Sequence, residues 1–340
     1  MVESPPNGAS ATVVAPSNIA FIKYWGARNL RRAVPANQSI SMSLSVCVSR
    51  CTAQWHAERG QHEVLLGDGH GSLAPAPEVF AERVRGHLSF LRRWSGAGGH
   101  FRIATENTFP SAAGIASSAS GFAALTLAVT SALGRQLDVA SSSSLARLSG
   151  SGSSARSVVG GFVEWPVGRS DEACFARVLA GAEHWDLRDV VAVVERGPKA
   201  VSSLDGHRRA RTSPYFRTRQ RRLPERLEAV REAIAVRDFE RLAEVVEAEA
   251  VDLHCIAMTS RPPIFYWRPA TLAVIAAVGA LRADGVEACF TIDAGANVHV
   301  ICSAACEPQV VASLEAMPEV EQLIRDRVGT GPIFDAEPLF

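Results

Sequence analysis

A chain of 340 residues that is 47% apolar and 21% charged has material for more than one hydrophobic core, and two domains are expected. Its 35 Lys+Arg balance 35 Asp+Glu, so the formal net charge is zero, which argues against a broad nucleic-acid footprint or a polybasic membrane patch. The seven cysteines are scattered, odd in number and without a C-x-x-C, which speaks against a disulfide framework and a structural zinc site and for reduced thiols.

In chain order, residues 1–10 are small and polar and read as a flexible N-terminus. No basic stretch followed by an apolar one marks a signal peptide there, and the apolar runs Phe122–Leu133 and Thr271–Leu281 are too short to span a bilayer, so a cytoplasmic protein is expected. Ala11–Ala15 reads as a first strand. Ser39–Gln54 alternates with period two, as half-buried strands do. Glu63–Leu66 is a short strand and Pro77–Trp94 an amphipathic helix with Val84, Leu88 and Leu91 on one face. Phe101–Thr105 is a strand, and a turn over Phe109–Ser120 leads to an Ala-rich helix, Gly121–Ala132. Ser141–Leu148 starts a helix that its serines could cap; Gly160–Trp165 returns to strand. The continuous apolar run Val190–Val194 reads as a buried strand at the start of a second domain, giving domains 11–188 and 189–340. An Arg-rich stretch, Arg208–Arg222, precedes helices Leu223–Arg237 and Phe239–Cys255. Pro269–Arg282 is a helix with Pro in its first turn. Cys289–Ile292 and Val298–Cys302 are strands flanking the turn DAGAN, and Pro308–Ala316 and Val320–Val328 are expected to close the chain as a helix and a shorter helix. The alternation implies α/β or α+β.

The stretch Pro110-Ser-Ala-Ala-Gly114-Ile-Ala-Ser117-Ser118-Ala119 has the makings of an anion cradle. Small residues let the backbone approach a phosphate, the helix that follows points N–H groups and positive potential at it, and hydroxyls can donate to phosphate or reach a cation. The same residues equally suit a tightly packed helix start. There is no Walker A Gly-Lys-Ser/Thr.

This stretch resembles the phosphate loop of the GHMP small-molecule kinases, and Asn107-Thr-Phe-Pro110 before it narrows the likeness to the mevalonate-diphosphate decarboxylase branch. Three more segments, in the same order, resemble that branch: Ala15-Pro-Ser-Asn18-Ile-Ala20-Phe-Ile-Lys23-Tyr24-Trp25-Gly26; Gly150-Ser151-Gly-Ser153-Ser-Ala-Arg156-Ser157; and Phe290-Thr-Ile-Asp293-Ala-Gly-Ala-Asn297. The resemblance covers nearly the whole chain. It implies an α+β, two-domain GHMP sandwich with the active site in an inter-domain cleft, a homodimer, and ATP with Mg2+. The implied reaction phosphorylates the tertiary 3-hydroxyl of a 5-phosphorylated mevalonate, then expels phosphate and CO2. The implied catalytic residues are Asp293 as base, Arg156 on the substrate carboxylate, and Lys23. Ala20, Tyr24, Arg83, Ser151, Ser153 and Ser203 would line the substrate. Asn107, Pro110, Gly114, Ala116, Ser117 and Ser118 would hold ATP, with Ser118 also reaching Mg2+. Read alone, Asp293 is a turn carboxylate, Lys23 a strand-end lysine and Arg83 a solvated helix residue.

Two departures bear on the 5-position. The family run Lys-Tyr-Trp-Gly-Lys has its second Lys replaced by Ala27, and Gly-Met after the Lys199-to-Ser203 loop becomes Gly206-His207. Losing an ammonium beside a buried phosphate costs about 2–3 kcal/mol. So adjusted, the resemblance points to mevalonate 5-phosphate giving isopentenyl phosphate, with mevalonate 5-diphosphate giving isopentenyl diphosphate as the alternative. A mevalonate 3-kinase and a non-catalytic metabolite-binding relative are more remote.

Overall fold

The protein is described by a computed structural model that covers residues 5–110, 115–168, 170, 173–197 and 200–340. Gly114 and Lys199, both singled out above, lie outside the described residues.

The N-terminal half is built on an eight-stranded sheet. Ile333–Phe334, Ser10–Ile22, Ser39–His56, His100–Asn107, Glu63–Gly67 and Leu73–Pro75 run side by side in that order, while Phe162–Trp165 pairs with Ser39–His56 and carries Arg177–Ala180 on its far edge. All pairings are antiparallel except that of Glu63–Gly67 with His100–Asn107. The long strand Ser39–His56 runs on as one element although its inward face changes phase between Leu44 and Cys47, where Ser45 and Val46 are exposed; its first residues take Phe162–Trp165 as partner and its last take His100–Asn107. Opposite it, Ser10–Ile22 slips register between Pro16 and Asn18 and again between Ala20 and Ile22. Such irregularities bend a strand and re-aim its side chains, and here they fall where the strand enters the site. Helices Glu78–Ser95 and Ser117–Ala132 pack Val84, Leu88, Leu91, Phe122 and Leu127 onto Val13, Ala53, Phe101 and Ile103.

The C-terminal half has a four-stranded antiparallel sheet in the order Ala288–Thr291, Val298–Ser303, Leu187–Val193, Gln322–Arg327. Helices Pro269–Ala283 and Glu307–Glu315 contribute Val274, Val278, Val310 and Leu314 to a core with Val190, Val298 and Val300. A shared core joins the halves: Ile19, Phe21, Ile40 and Met42 meet Leu187, Val191, Cys289 and Ile301, with helices Phe216–Val236 and Phe239–Thr259 completing it. One largely antiparallel and one wholly antiparallel sheet with segregated helices make this an α+β fold.

Three expectations need correction. Val320–Val328 is not a helix; Gln322–Arg327 is a strand, paired through Val190↔Arg325 and Asp189↔Asp326, and Asp326 accepts the backbone N–H groups of Ser45, Val46 and Cys47. Pairing and that carboxylate override a sequence whose local preference is ambiguous. The helix expected from Ser141 starts at Val139 and is capped by Asp138, which accepts from Ser141 N at 2.8 Å, not by its serines. The helix expected from Leu223 starts two turns earlier, as Phe216–Val236, and a further helix, Ser203–Arg209, stands before it.

Candidate active site

The centre is an ion pair that crosses the two halves. Lys23 follows directly on Ser10–Ile22; Asp293 stands in the turn between Ala288–Thr291 and Val298–Ser303. Lys23 Nζ lies 2.7 Å from Asp293 Oδ1, with the lysine side chain 1% and the aspartate 25% exposed. The lysine backbone is held on every side. Its N–H donates to Glu249 Oε2 (3.2 Å), and its carbonyl accepts from Asn37 Nδ2 (2.9 Å) and Arg219 Nη2 (2.7 Å). Glu249, wholly buried, also takes Arg219 (2.7 Å) and Arg226. Burial pulls Lys23 below the ordinary lysine range, opposed by Asp293 and Glu249. Burial pushes the Asp293 carboxyl up, but the Lys23 ammonium and, further off, His299 and Arg156 outweigh it and hold Asp293 below the usual carboxylate range. Asp293 is therefore ionised at neutral pH and one side of it reaches solvent.

Arg156 follows the short helix Gly152–Ala155 and is 2% exposed. Its Nε and Nη2 donate to Asn18 Oδ1 (3.2 and 3.0 Å) and its Nη1 to Ser39 Oγ (2.5 Å). Asn18 is fixed by donating Nδ2 to Ser157 Oγ at 2.8 Å, which turns its oxygen to the guanidinium. No carboxylate among the described residues pairs with Arg156 at salt-bridge distance. Burial draws it down to about 10, and Asp293 opposes that shift. A buried guanidinium held by neutral oxygens is a site for an anion.

Beside these lies a cluster of hydroxyls. Ser118 Oγ is 3.1 Å from Ser151 Oγ, which is 3.5 Å from Ser153 Oγ. Ser117 and Ser118 open helix Ser117–Ala132, whose N-cap Ala116 (φ 28°, ψ 41°) offers no side-chain cap. Its first N–H groups are thus left for another acceptor. Asn107 Oδ1 accepts from Ser49 Oγ (2.6 Å), itself 2.7 Å from Ser120 Oγ, so the end of strand His100–Asn107 is tied to the same helix start. Pro110 is half-buried where the chain leaves that strand. Tyr24 packs edge-on to Trp165 at 5.0 Å and tilted against His207 at 4.1 Å. Ala20 is buried, and its carbonyl accepts from Thr291 Oγ1 (3.2 Å), stitching the first strand to the strand that leads to Asp293.

Lys23, Asp293 and Arg156 thus share one site, and Ser118, Ser151 and Ser153 share a cluster with the uncapped helix start. Ser203 is the first residue of helix Ser203–Arg209, behind its N-cap Ser202. Arg83 is apart: it is exposed on Glu78–Ser95 with its guanidinium 5.0 Å above the Phe122 ring, and no contact ties it to Asp293 or Arg156. Asn18, Ser39, Arg219 and Glu249 were not anticipated. For Glu249 a signal exists: an acid at 249 sits on the buried stripe Val246, Ala250, Leu253 of its helix.

Two family models match the chain: the "Diphosphomevalonate decarboxylase-like N-terminal domain" over residues 15–176 and the "Mevalonate 5-diphosphate decarboxylase C-terminal domain" over 189–333. The diphosphomevalonate decarboxylase of Candida albicans is 32% identical over 364 residues, covering 97% of this chain and 99% of its own. This chain belongs to the diphosphomevalonate decarboxylase family. Among solved members, the mevalonate diphosphate decarboxylase of Staphylococcus aureus superposes with a TM-score of 0.90 at 32% identity, covering 96% of this chain and 98% of its own. A decarboxylase solved in complex with MVAPP, AMPPCP and magnesium gives 0.88 at 35% identity, again covering 96% and 98%. The GHMP-type two-domain fold follows from these likenesses. No described helix is long and apolar enough to cross a membrane.

Proposed function

We propose that this chain catalyses the ATP-dependent decarboxylation of mevalonate 5-diphosphate to isopentenyl diphosphate. The observation that carries the reading is the inter-domain cluster: an ionised Asp293 held by Lys23, next to a buried Arg156 that lacks an anionic partner. The diphosphate is favoured over the monophosphate because the relatives found are named diphosphomevalonate decarboxylases, matched over 99% of the Candida albicans chain and 80% of the Saccharomyces cerevisiae one. The expectation drawn from Ala27 and Gly206-His207 therefore loses support. What still speaks for mevalonate 5-phosphate is that Ala27, half-buried opposite Pro35, brings no cation to the site.

The residues suit each step. Asp293 accepts a hydrogen bond from the 3-hydroxyl and takes its proton as the oxygen captures the γ-phosphoryl group; Lys23 keeps the carboxylate ionised until then. Phosphoryl transfer asks for positioning and charge neutralisation rather than a strong base, so a depressed pKa is no obstacle. Arg156 supplies the anion site for the substrate carboxylate and holds it ionised. As the 3-phosphate leaves with the C–O electron pair, the C–C pair to the carboxylate becomes the new double bond and CO2 departs. The uncapped start of Ser117–Ala132, with Ser117 and Ser118, receives the nucleotide phosphates, and Ser118 also fits a Mg2+ ligand. Mg2+, when bound, neutralises phosphate charge. Asn107, Pro110, Ala116 and Gly114 would complete that loop, Tyr24, Ser151 and Ser153 the 5-phosphate side, and Ala20 the substrate floor; Ser203 would reach the phosphates from the other half. Arg83 takes part only if the helix start shifts toward it.

The test follows CO2, ADP and phosphate from the purified chain with ATP, Mg2+ and each substrate. Equal release of all three, more efficient with the diphosphate, is expected. ADP without CO2 would leave a 3-kinase, and no ADP at all would leave a binding protein.

A further inference from the structure

His207 lies where the two halves meet, and its ring is fixed from three sides. It packs at a tilt against Tyr24 (4.1 Å between centroids, 33°) and Trp25 (4.9 Å, 42°), and its Nδ1 accepts the Gly26 N–H at 3.0 Å. Accepting at Nδ1 leaves the proton of a neutral imidazole on Nε2. Burial holds His207 neutral, down to about 3. Nε2–H has no acceptor among the described residues. His207 itself is half-buried, so the ring keeps an open side. The aromatic wall continues from His207 through Tyr24 to Gly152, where a Cβ would stand 2.7 Å from the Tyr24 ring, and so to Ser151 and Ser153. His207 is thus one ring further than Tyr24 from the hydroxyl cluster, level with Gly26 and Ala27.

We infer that His207 is a specificity-determining residue, donating Nε2–H to the outer phosphate of a 5-diphosphate. This rests on the function proposed above and deepens it. A neutral donor adds a directional hydrogen bond to an anion without a buried charge, at a position where Ala27 supplies nothing. A monophosphate held by Ser151, Ser153 and Tyr24 ends one phosphate short of it.

Calorimetry on the intact chain with mevalonate 5-diphosphate and mevalonate 5-phosphate decides the matter, using H207N and H207Q. H207N keeps an acceptor for Gly26 N–H but removes the Nε2 donor; H207Q places an amide N–H near Nε2 but gives up the Gly26 acceptor. Expected is a weakening of diphosphate binding of about tenfold in H207N, under about threefold for the monophosphate, with partial recovery in H207Q. In the wild-type chain the 15N signal of His207 Nε2 should move on adding diphosphate and not on adding monophosphate. Equal loss for both ligands, or a harmless H207N beside a damaging H207Q, would make His207 a structural tie and overturn the inference. Wild-type binding of neither ligand overturns the functional reading and this inference together; binding of both with an unchanged preference in H207N overturns this inference alone.

Discussion

At the scale of single residues, the proposed function makes the Lys23–Asp293 pair the group that should set the pH range of activity. Asp293 sits below the ordinary 3.8 and Lys23 below the ordinary 10.5. The working state needs both charged. On the acid side the carboxylate stays ionised to below its ordinary 3.8, so Asp293 produces no limb near neutrality. On the alkaline side Lys23 loses its proton earlier than a free lysine, Asp293 loses its partner, and kcat/KM falls. K23R, whose guanidinium does not titrate in this range, should push that alkaline limb upward in a pH–rate profile; an unmoved limb would assign it to another group. D293N keeps the shape but cannot take the hydroxyl proton, and kcat should drop about 100- to 10,000-fold with nucleotide affinity retained, measured by CO2 release and by ATP titration. R156K replaces a planar fork with a point charge. It should lower kcat/KM by about 10- to 100-fold, because Asn18 and Ser39 are set for the guanidinium.

At the scale of elements, helix Ser203–Arg209 is placed by close approach. A Cβ on Gly206 would stand 2.2 Å from Trp25 Cη2 and 3.1 Å from Tyr266 Oη. Gly26, at φ +84°, turns the chain so that its N–H meets His207. G206A must push the helix off Trp25. A loss of about 1–3 kcal/mol in thermal or denaturant unfolding is expected, together with weaker substrate binding; a stable variant with normal binding would show that the helix is not part of the pocket wall. The sequence announced much of this level. Period-two alternation marked Ser39–His56, and the Gly/Ser turns marked both ends of the hydroxyl cluster. It was silent on Gln322–Arg327, whose burial is uneven and whose strand character comes from its partner Leu187–Val193. It was equally silent on Asn18 and Ser39 as partners of Arg156 and on Arg219 as partner of Glu249, since these pairings join residues remote in sequence; only the acid on a buried helix stripe hinted at Glu249 itself. The motifs that hold Lys23, Arg156 and Asp293 were legible and the fold brings these three side chains together; what orients them was not legible.

At the scale of the whole molecule, the site exists only because the two halves keep one geometry, and Glu249 is the carboxylate through which that geometry is fixed. It belongs to helix Phe239–Thr259 yet accepts the backbone N–H of Lys23, while Arg219 bridges Glu249 to the Lys23 carbonyl. Burial pushes the Glu249 carboxyl up, but Arg219 and Arg226 outweigh it, so its folded value lies below the ordinary 4.5. A carboxylate depressed on folding stabilises the native state above its unfolded value, and that stabilisation is lost as pH falls through the folded one. The wild-type chain should therefore lose stability below about pH 4.5 in part through Glu249. E249Q keeps the size and an acceptor but leaves Arg219, itself 2% exposed, without a counter-charge. Breaking a buried pair from one side costs about 3–5 kcal/mol. E249Q should unfold at correspondingly lower denaturant at pH 7 and show a shallower loss of stability on acidification than wild type. Its kcat should fall as well, because the Lys23 backbone is no longer anchored against the second half. If E249Q matched wild type in both stability and turnover, Glu249 would not be what registers the two domains, and the placement of Lys23 against Asp293 would have to come from the shared apolar core of Phe21, Met42, Val191 and Ile301 alone.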